Sequence, residues 1–109
     1  MQRQKDGPPR ISDIIEAVSA ASKVPVQDIL GHGTFQHCTI PRASAYWIAR
    51  NCTLKSYPQI ARAIGNRDHQ TIMNGVRRVE KHTQLYRPII ERSLEILKSH
   101  GFVSEVKFQ

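Results

Sequence analysis

Apolar residues recur at helical spacing in the first third of the chain. Between residues 11 and 21 they form one stripe, made of Ile11, Ile14, Ile15, Val18 and Ala21. This spacing predicts an amphipathic helix, with Ser12 and Asp13 suited to its start. A shorter helix is predicted to open at Pro25 and to stop at Gly31, around Val26, Ile29 and Leu30.

The helical spacing of apolar residues stops after the second predicted helix and resumes in the third. Residues 31–39 have no such period and are predicted to form a loop. Pro41 is well placed to begin a third helix, because proline is favoured in a first turn. That helix is predicted to bury one stripe, formed by Ala45, Ile48, Ala49 and Cys52.

Two short helices separated by a glycine turn follow. Ser56 is a suitable N-cap for a helix that Gly65 ends, and Asp68 is a suitable N-cap for the next one. The second helix has apolar residues at Ile72, Val76 and Val79, so one face is predicted to be buried and the other exposed. A short helix, a turn and a second helix with a polar start predict a helix-turn-helix.

A last helix is predicted to begin at Pro88 and to end before Gly101, with an apolar face of Ile89, Ile90, Leu94 and Leu97. The sequence therefore predicts an all-α protein, a small bundle of about five or six helices containing a helix-turn-helix. Residues 11–101 form the expected domain. Residues 1–10 are expected to be a flexible tail, and residues 102–109 a C-terminal tail that is either a short extended segment or frayed.

The basic residues are concentrated in one part of the chain. The 109 residues carry a formal net charge of +7, and the segment from Thr39 to His82, with eight basic and two acidic residues, carries +6 of it. Such a segment suggests a surface that faces a polyanion. Charge alone does not separate DNA from RNA, from an anionic membrane or from an ordinary solvated face.

Several classes of protein are not indicated. No apolar stretch approaches the ~20 residues that span a bilayer, and residues 1–10 lack the hydrophobic run of a signal peptide. We therefore expect a cytoplasmic protein that does not bind membranes. Cys38 and Cys52 are expected to be free thiols in a reducing compartment.

The polar start of the second helix of the motif suits base reading. Asp68 can accept a hydrogen bond from a cytosine amino group, Gln70 can pair with adenine, and Thr71 can contact a phosphate or a thymine methyl. His69 lies between them, and basic residues flank the turn. Taken one at a time, these residues also fit an ordinary exposed first turn in which Asp68 only caps the helix.

At residues 56–72 the sequence SYPQIARAIGNRDHQTI resembles a known family, the C-terminal DNA-binding domain of the bacterial replication initiator DnaA. The family pattern has Ser-Leu-Pro-Glu-Ile-Gly before Gly-Gly-Arg-Asp-His-Thr-Thr-Val. Pro41 and Arg42 resemble the Pro-Arg that opens the preceding helix, and the likeness runs from about Ile11 to Lys81. It implies a Trp-repressor-like helix-turn-helix that binds double-stranded DNA on the bacterial nucleoid and acts in the regulation of DNA replication or of transcription.

The resemblance also implies residue roles. Positions that contact bases are Asp68, His69 and Gln70. Positions that contact the phosphate backbone are Arg42, Arg50, Pro58 and Thr71, and further backbone contacts are expected from Tyr57, Arg67, Asn74, Arg77 and Arg78. Arg50 and Arg62 also fit solvated helix charges with no such role.

The sequence departs from the family at several points. Gln70 stands where the family has Thr, and Ala43 replaces a polar residue. The loop from Gly31 to Ile40 lacks the Arg and Lys residues that the family inserts into the minor groove, and offers only His32 and His37. No Gly-rich phosphate loop is present, so no nucleotide or other cofactor is expected.

Two other classes of function fit the sequence less well. An enzyme is not expected, because the histidines and cysteines match no zinc or nucleophile spacing. A protein-interaction module is the alternative, in which the basic face binds an acidic partner or the full-length initiator. Another DNA-bound protein is a further possible partner.

Overall fold

The fold is built around one buried helix. In the computed structural model, which describes residues 7–102, 106 and 108, six helices follow one another: α1 (Ile11–Ser22), α2 (Val26–Leu30), α3 (Gln36–Cys52), α4 (Tyr57–Ala63), α5 (His69–Lys81) and α6 (Thr83–Ser99). The described residues include no strand. The all-α class and the presence of a helix-turn-helix, α4 and α5, are confirmed.

Helix α3 is the centre of the packing. Every residue from Pro41 to Ala49 is buried, and α1, α5 and α6 all contact this helix. Helix α4 packs against α5, and α6 packs against α1. The core lies between these helices and includes the fully buried side chains of Ile14, Val18, Ile29, Ile48, Ile60, Ile64, Ile72, Val79, Ile90 and Leu97.

Two helices begin earlier than the sequence predicts. Helix α3 begins at Gln36 rather than Pro41, and α6 begins at Thr83 rather than Pro88. Each proline is the sixth residue of its helix, where it removes a single N–H and disturbs one carbonyl four residues earlier. The first turn of α3 closes independently of Pro41, because the carbonyl of Phe35 accepts from the N–H groups of Cys38 and Thr39 at 2.9 Å. The predicted loop of residues 31–39 therefore shortens to residues 31–35.

The two tails fall largely outside the described residues. Residues 1–6 of the N-terminal tail lie outside them, as do 103–105, 107 and 109 of the C-terminal tail. Phe108 is packed, since it is 8% exposed and its ring meets Trp47 edge-on at a centroid distance of 5.0 Å. The guanidinium of Arg87 lies 5.2 Å from the centre of the Phe108 ring. Within the described parts of the chain, no helix has the length and apolar character needed to cross a membrane.

Candidate nucleic-acid interface

The turn between α4 and α5 is tightly specified. Ser56 Oγ accepts from the N–H of Gln59 at 3.3 Å, and Gln59 Oε1 accepts from the N–H of Ser56 at 2.8 Å, so a capping box starts α4. Gly65 and Asn66 have φ angles of +79° and +53°. A β-carbon on Gly65 would lie 2.5 Å from the carbonyl oxygen of Leu30. The turn therefore requires glycine both for its backbone conformation and for its approach to α2.

Helix α5 has one buried and one exposed face. Ile72, Gly75, Val76 and Val79 are buried, as the apolar spacing predicts. The exposed face carries most of the polar residues singled out in the sequence, namely Asp68 as the N-cap and then His69, Gln70, Thr71, Asn74, Arg77 and Arg78. The expected base-reading residues thus lie together at the exposed N-terminal end of α5, and the opposite face of this helix is buried in the core.

Local hydrogen bonds order the first turn of α5. Asp68 Oδ1 accepts from the N–H of Gln70 at 3.1 Å and lies 3.5 Å from Nδ1 of His69. Gln70 Nε2 donates to Oδ1 of Asn74 at 3.2 Å. The side chains of Asp68 and His69 remain 72% and 54% exposed. The turn is therefore ordered within the free protein while its polar groups stay open to solvent.

Arg42, an expected phosphate contact, lies largely inside the protein. The residue is 7% exposed, and its guanidinium donates to the carbonyls of Asp28 and Ile29 at 2.8 Å and of Gly33 at 2.7 Å. The last carbonyls of a helix have no partner within it, and Arg42 satisfies two of those of α2. The side chain fixes α2 and the following loop to α3.

Arg67 has a second, similar role at the turn before α5. Its Nε donates to Tyr46 Oη at 2.7 Å, its Nη1 lies 3.2 Å from His32 Nδ1, and its Nη2 donates to the carbonyl of Gly31. Burial lowers the pKa of Arg67, while the neighbouring Tyr46 opposes that shift. Burial likewise raises the pKa of Tyr46. The guanidinium thus joins the turn of the helix-turn-helix to both α2 and α3.

Another pair of expected residues meets at the start of α4. The guanidinium of Arg50 lies 4.3 Å from the centre of the Tyr57 ring, in a cation–π arrangement, and its Nη1 lies 3.5 Å from the carbonyl of Lys55. Arg50 and Pro58 are exposed, and Tyr57 is partly buried. Stacking on the ring orients this arginine without neutralising it.

A cleft opens between the loop after α2 and the start of α5. Its volume is about 420 Å³, and it is lined by polar side chains and main chain of His32, Gly33, Thr34, Thr39, Arg42, Tyr46, Asn66, Arg67, Asp68 and Thr71. Ion pairs among the described residues join Arg10 to Asp13 and Arg87 to Glu91. Those described pairs leave the arginines of α5 unneutralised.

Three residues important to this geometry were not singled out in the sequence for their roles. Gly75 had a usable signal, because a glycine inside a helix costs about 1 kcal/mol relative to alanine and needs a packing reason. The reason is Tyr46, whose Cδ2 would lie 2.5 Å from a β-carbon on Gly75. Tyr46 and His32 had no such signal, because their contacts to Arg67 join residues 21 and 35 positions apart.

Comparison with known proteins places this chain next to one group. The sequence model of the family described as "Bacterial dnaA protein helix-turn-helix" matches residues 11–79. The chain is 33% identical over 89 residues to the chromosomal replication initiator protein DnaA of Xanthobacter autotrophicus, which covers 82% of this chain and 17% of that protein. The likeness noted in the sequence is thereby confirmed.

Other initiators give similar values. The DnaA protein of a Ruegeria species is 35% identical over 71 residues, covering 65% of this chain and 15% of the relative. That of a Caulobacter species is 33% identical over 87 residues, covering 80% of this chain and 18% of the relative. The chain therefore spans about one sixth of the length of these curated relatives.

Proposed function

This chain belongs to the bacterial DnaA helix-turn-helix family, and on that premise we propose that it binds double-stranded DNA sequence-specifically, with the first turn of α5 in the major groove. One observation carries the proposal: α5 presents an ordered, exposed polar first turn while its opposite face is buried. This end of the helix lies within the segment that carries a net charge of +6.

The buried face of α5 holds this helix in a fixed orientation for DNA binding. Ile72, Val76 and Val79 are at most 5% exposed, so the helix has little freedom to roll against α3 and α4. A rigid helix loses little conformational entropy when it docks, and its first side chains meet the base edges in a fixed register. Asp68, His69 and Gln70 are the proposed base-reading residues.

Backbone contacts are proposed on both sides of the groove. The guanidinium of Arg50 in α3, stacked on Tyr57, reaches the start of α4 beside Pro58, where the first helix of such motifs crosses the phosphates. Thr71, Asn74, Arg77 and Arg78 extend along the exposed side of α5. Contacts of this kind position the protein and carry little sequence information.

Arg42 and Arg67 are proposed as positioning residues rather than direct phosphate ligands. Their donors are used by main-chain carbonyls of α2 and of the loop that follows it. Both side chains line the cleft beside Asp68 and Thr71, so they contribute positive potential there. Their main effect on DNA binding is to fix the angle at which α5 leaves the core.

The proposed biological role is the regulation of DNA replication, since the curated relatives are named chromosomal replication initiators. Transcription regulation at the same kind of site is the second role. In this proposal the chain is a DNA reader on the bacterial nucleoid. It uses no nucleotide, cofactor or catalytic step, and it shares DNA with other bound proteins.

Binding to duplex DNA is expected to weaken steeply with salt. With about five phosphate contacts, the slope of log K against log salt concentration should be about −4 to −5. Arg78→Ala should reduce the magnitude of that slope by about one, because it removes one exposed cation of α5. The matched control is Arg92→Ala, which removes an exposed cation of α6 and should leave the slope unchanged.

The measurement is fluorescence anisotropy of labelled duplexes at several salt concentrations, with single-stranded RNA and polyglutamate as competitors. A slope near zero, or polyglutamate competing as well as duplex DNA, would contradict the proposal and favour binding of an acidic protein.

Gln70 is expected to set the base preference. Its amide offers a donor and an acceptor together and matches the adenine edge, whereas the Thr of the family offers one hydroxyl. A bidentate pair is worth about 1–3 kcal/mol, so the preferred site should differ from that of a Gln70→Thr variant by at least one base pair. Asn74 supports the amide at 3.2 Å, and Asn74→Ala should loosen the same preference.

Selection from a randomised duplex library, run in parallel on wild type, Gln70→Thr and Gln70→Ala, measures this. Gln70→Ala should flatten the preference at one position. If all three proteins selected one motif, Gln70 would have no contact with the bases.

A further inference from the structure

Three side chains with different metal-binding atoms converge on the side of α2 that faces α3. Asp28 belongs to α2, and His37 and Cys38 belong to the first turn of α3. A carboxylate oxygen, an imidazole nitrogen and the thiol sulfur all lie within 4.8 Å of one another. Cys38 is buried, Asp28 is partly buried and His37 is exposed. The DNA-binding role proposed above makes no use of this cluster.

We propose that Asp28, His37 and Cys38 bind a zinc ion, with water as the fourth ligand. Zn²⁺ accepts thiolate, imidazole and carboxylate together, at about 2.3, 2.0 and 2.1 Å. Tetrahedral bonds of these lengths place neighbouring ligand atoms about 3.5 Å apart. Metal binding therefore requires side-chain rotations that shorten the present separations, which are at most 4.8 Å, to that value.

The main chain at two of the ligands is already fixed. The Asp28 carbonyl accepts from Nη2 of Arg42 at 2.8 Å, and the Cys38 N–H donates to the carbonyl of Phe35 at 2.9 Å. A site whose ligands are held before binding loses less conformational entropy when the ion enters. The exposed His37 provides the path of entry.

The charge balance also favours a divalent cation. The bound thiolate and carboxylate together offset the two positive charges of Zn²⁺, while His37 binds as neutral imidazole. The occupied site is therefore neutral and places no net positive charge beside the buried guanidinium of Arg42. Binding releases the thiol proton of Cys38 to solvent, so affinity should rise with pH.

The ion would join α2 directly to α3 across the loop of residues 31–35. This loop also lines the cleft beside the start of α5, through His32, Gly33 and Thr34. Because an ion that binds only the folded state stabilises it, zinc should raise the thermal midpoint. At a zinc concentration a hundred times the Kd, a rise of about 10 °C is expected.

The test uses Co²⁺ as a spectroscopic probe on the full chain, prepared without a histidine tag and kept reduced. Titration should give the intense near-ultraviolet absorption of a cobalt–thiolate bond and the visible bands of tetrahedral Co²⁺, and added Zn²⁺ should remove both. Cys38→Ser should abolish the thiolate band. Cys52→Ser is the matched control, because Cys52 lies 14 residues further along α3, roughly 21 Å away.

His37→Ala gives a test that does not depend on changing a buried residue. This exposed substitution should leave the fold intact and weaken Co²⁺ binding at least tenfold, whereas His100→Ala, which removes another exposed histidine, should change nothing. The absence of a thiolate band in the wild type, or a band that survives in Cys38→Ser or is equally strong in His37→Ala, would overturn the proposal.

Discussion

The Arg42→Ala variant is expected to lose about 3–5 kcal/mol of its free energy of unfolding. Hydrogen bonds from charged donors contribute about 1.5–3 kcal/mol each, and Arg42 makes three to main-chain carbonyls. Water that enters the vacated space recovers part of that loss. Because a domain of this size has about 5–15 kcal/mol of stability in total, a large part of it depends on this one side chain.

Urea unfolding followed by circular dichroism measures the change. Arg42→Lys keeps the charge but lacks the planar fork, so it should fall between wild type and Arg42→Ala. Arg62→Ala, an exposed residue of α4, is the surface control and should stay within about 0.5 kcal/mol of wild type. A fully stable Arg42→Ala protein whose DNA affinity and salt slope both fall would instead identify Arg42 as a direct phosphate ligand.

Gly75→Ala is expected to destabilise the protein by about 2 kcal/mol and to lower DNA affinity more than tenfold. Alanine gains about 1 kcal/mol of helix propensity over glycine. That gain is outweighed, because the new β-carbon would lie 2.5 Å from Cδ2 of Tyr46, well inside the optimal carbon–carbon separation of about 3.5–4.0 Å. Tyr46 is 4% exposed and its hydroxyl accepts a hydrogen bond from Arg67, so its ring has little room to move.

The strain is relieved by moving α5 away from α3, which displaces the residues proposed to read bases. The measurements are the urea midpoint and the affinity for a selected duplex at a temperature where both proteins are folded. Gly7→Ala is the matched control, since a β-carbon there meets nothing within 4 Å and Gly7 lies outside the candidate interface. An alanine variant that is more stable than wild type and binds DNA equally well would show that the close approach of α3 and α5 is unimportant.

Local patterns in the sequence were sufficient for most of the helices. Apolar spacing predicted the positions of α1 and α5, and the capping residues Ser56 and Asp68 predicted where α4 and α5 start. These signals depend only on neighbours within one or two helical turns. Pro41 and Pro88 misled the prediction for the same reason. Proline is favoured in a first turn, but the sequence does not show that a preceding turn can form without its N–H.

In the candidate site, too, local patterns predicted some residues correctly and could not predict others. The exposure of Asp68, His69 and Gln70 follows from the apolar stripe of α5, which buries the opposite face. The placement of Arg42 does not follow from any local pattern, since its partners lie 9 to 14 residues earlier in the chain. An arginine that would bind phosphate and one that caps a distant helix look identical in sequence, because both use the same donors.

The hydrogen bonds of Arg67 determine how much of this protein is needed for DNA binding by α4 and α5. The main-chain N–H of Arg67 closes the turn locally on Ala61, but its guanidinium donates to Gly31, 36 residues earlier. An excised α4–α5 peptide would keep every proposed base-reading residue and lose that anchor, together with the α3 surface beneath Gly75. The helix-turn-helix therefore cannot be transferred to another protein by itself. The recipient would have to replace the contacts of both α2 and α3 to fix the angle between α4 and α5.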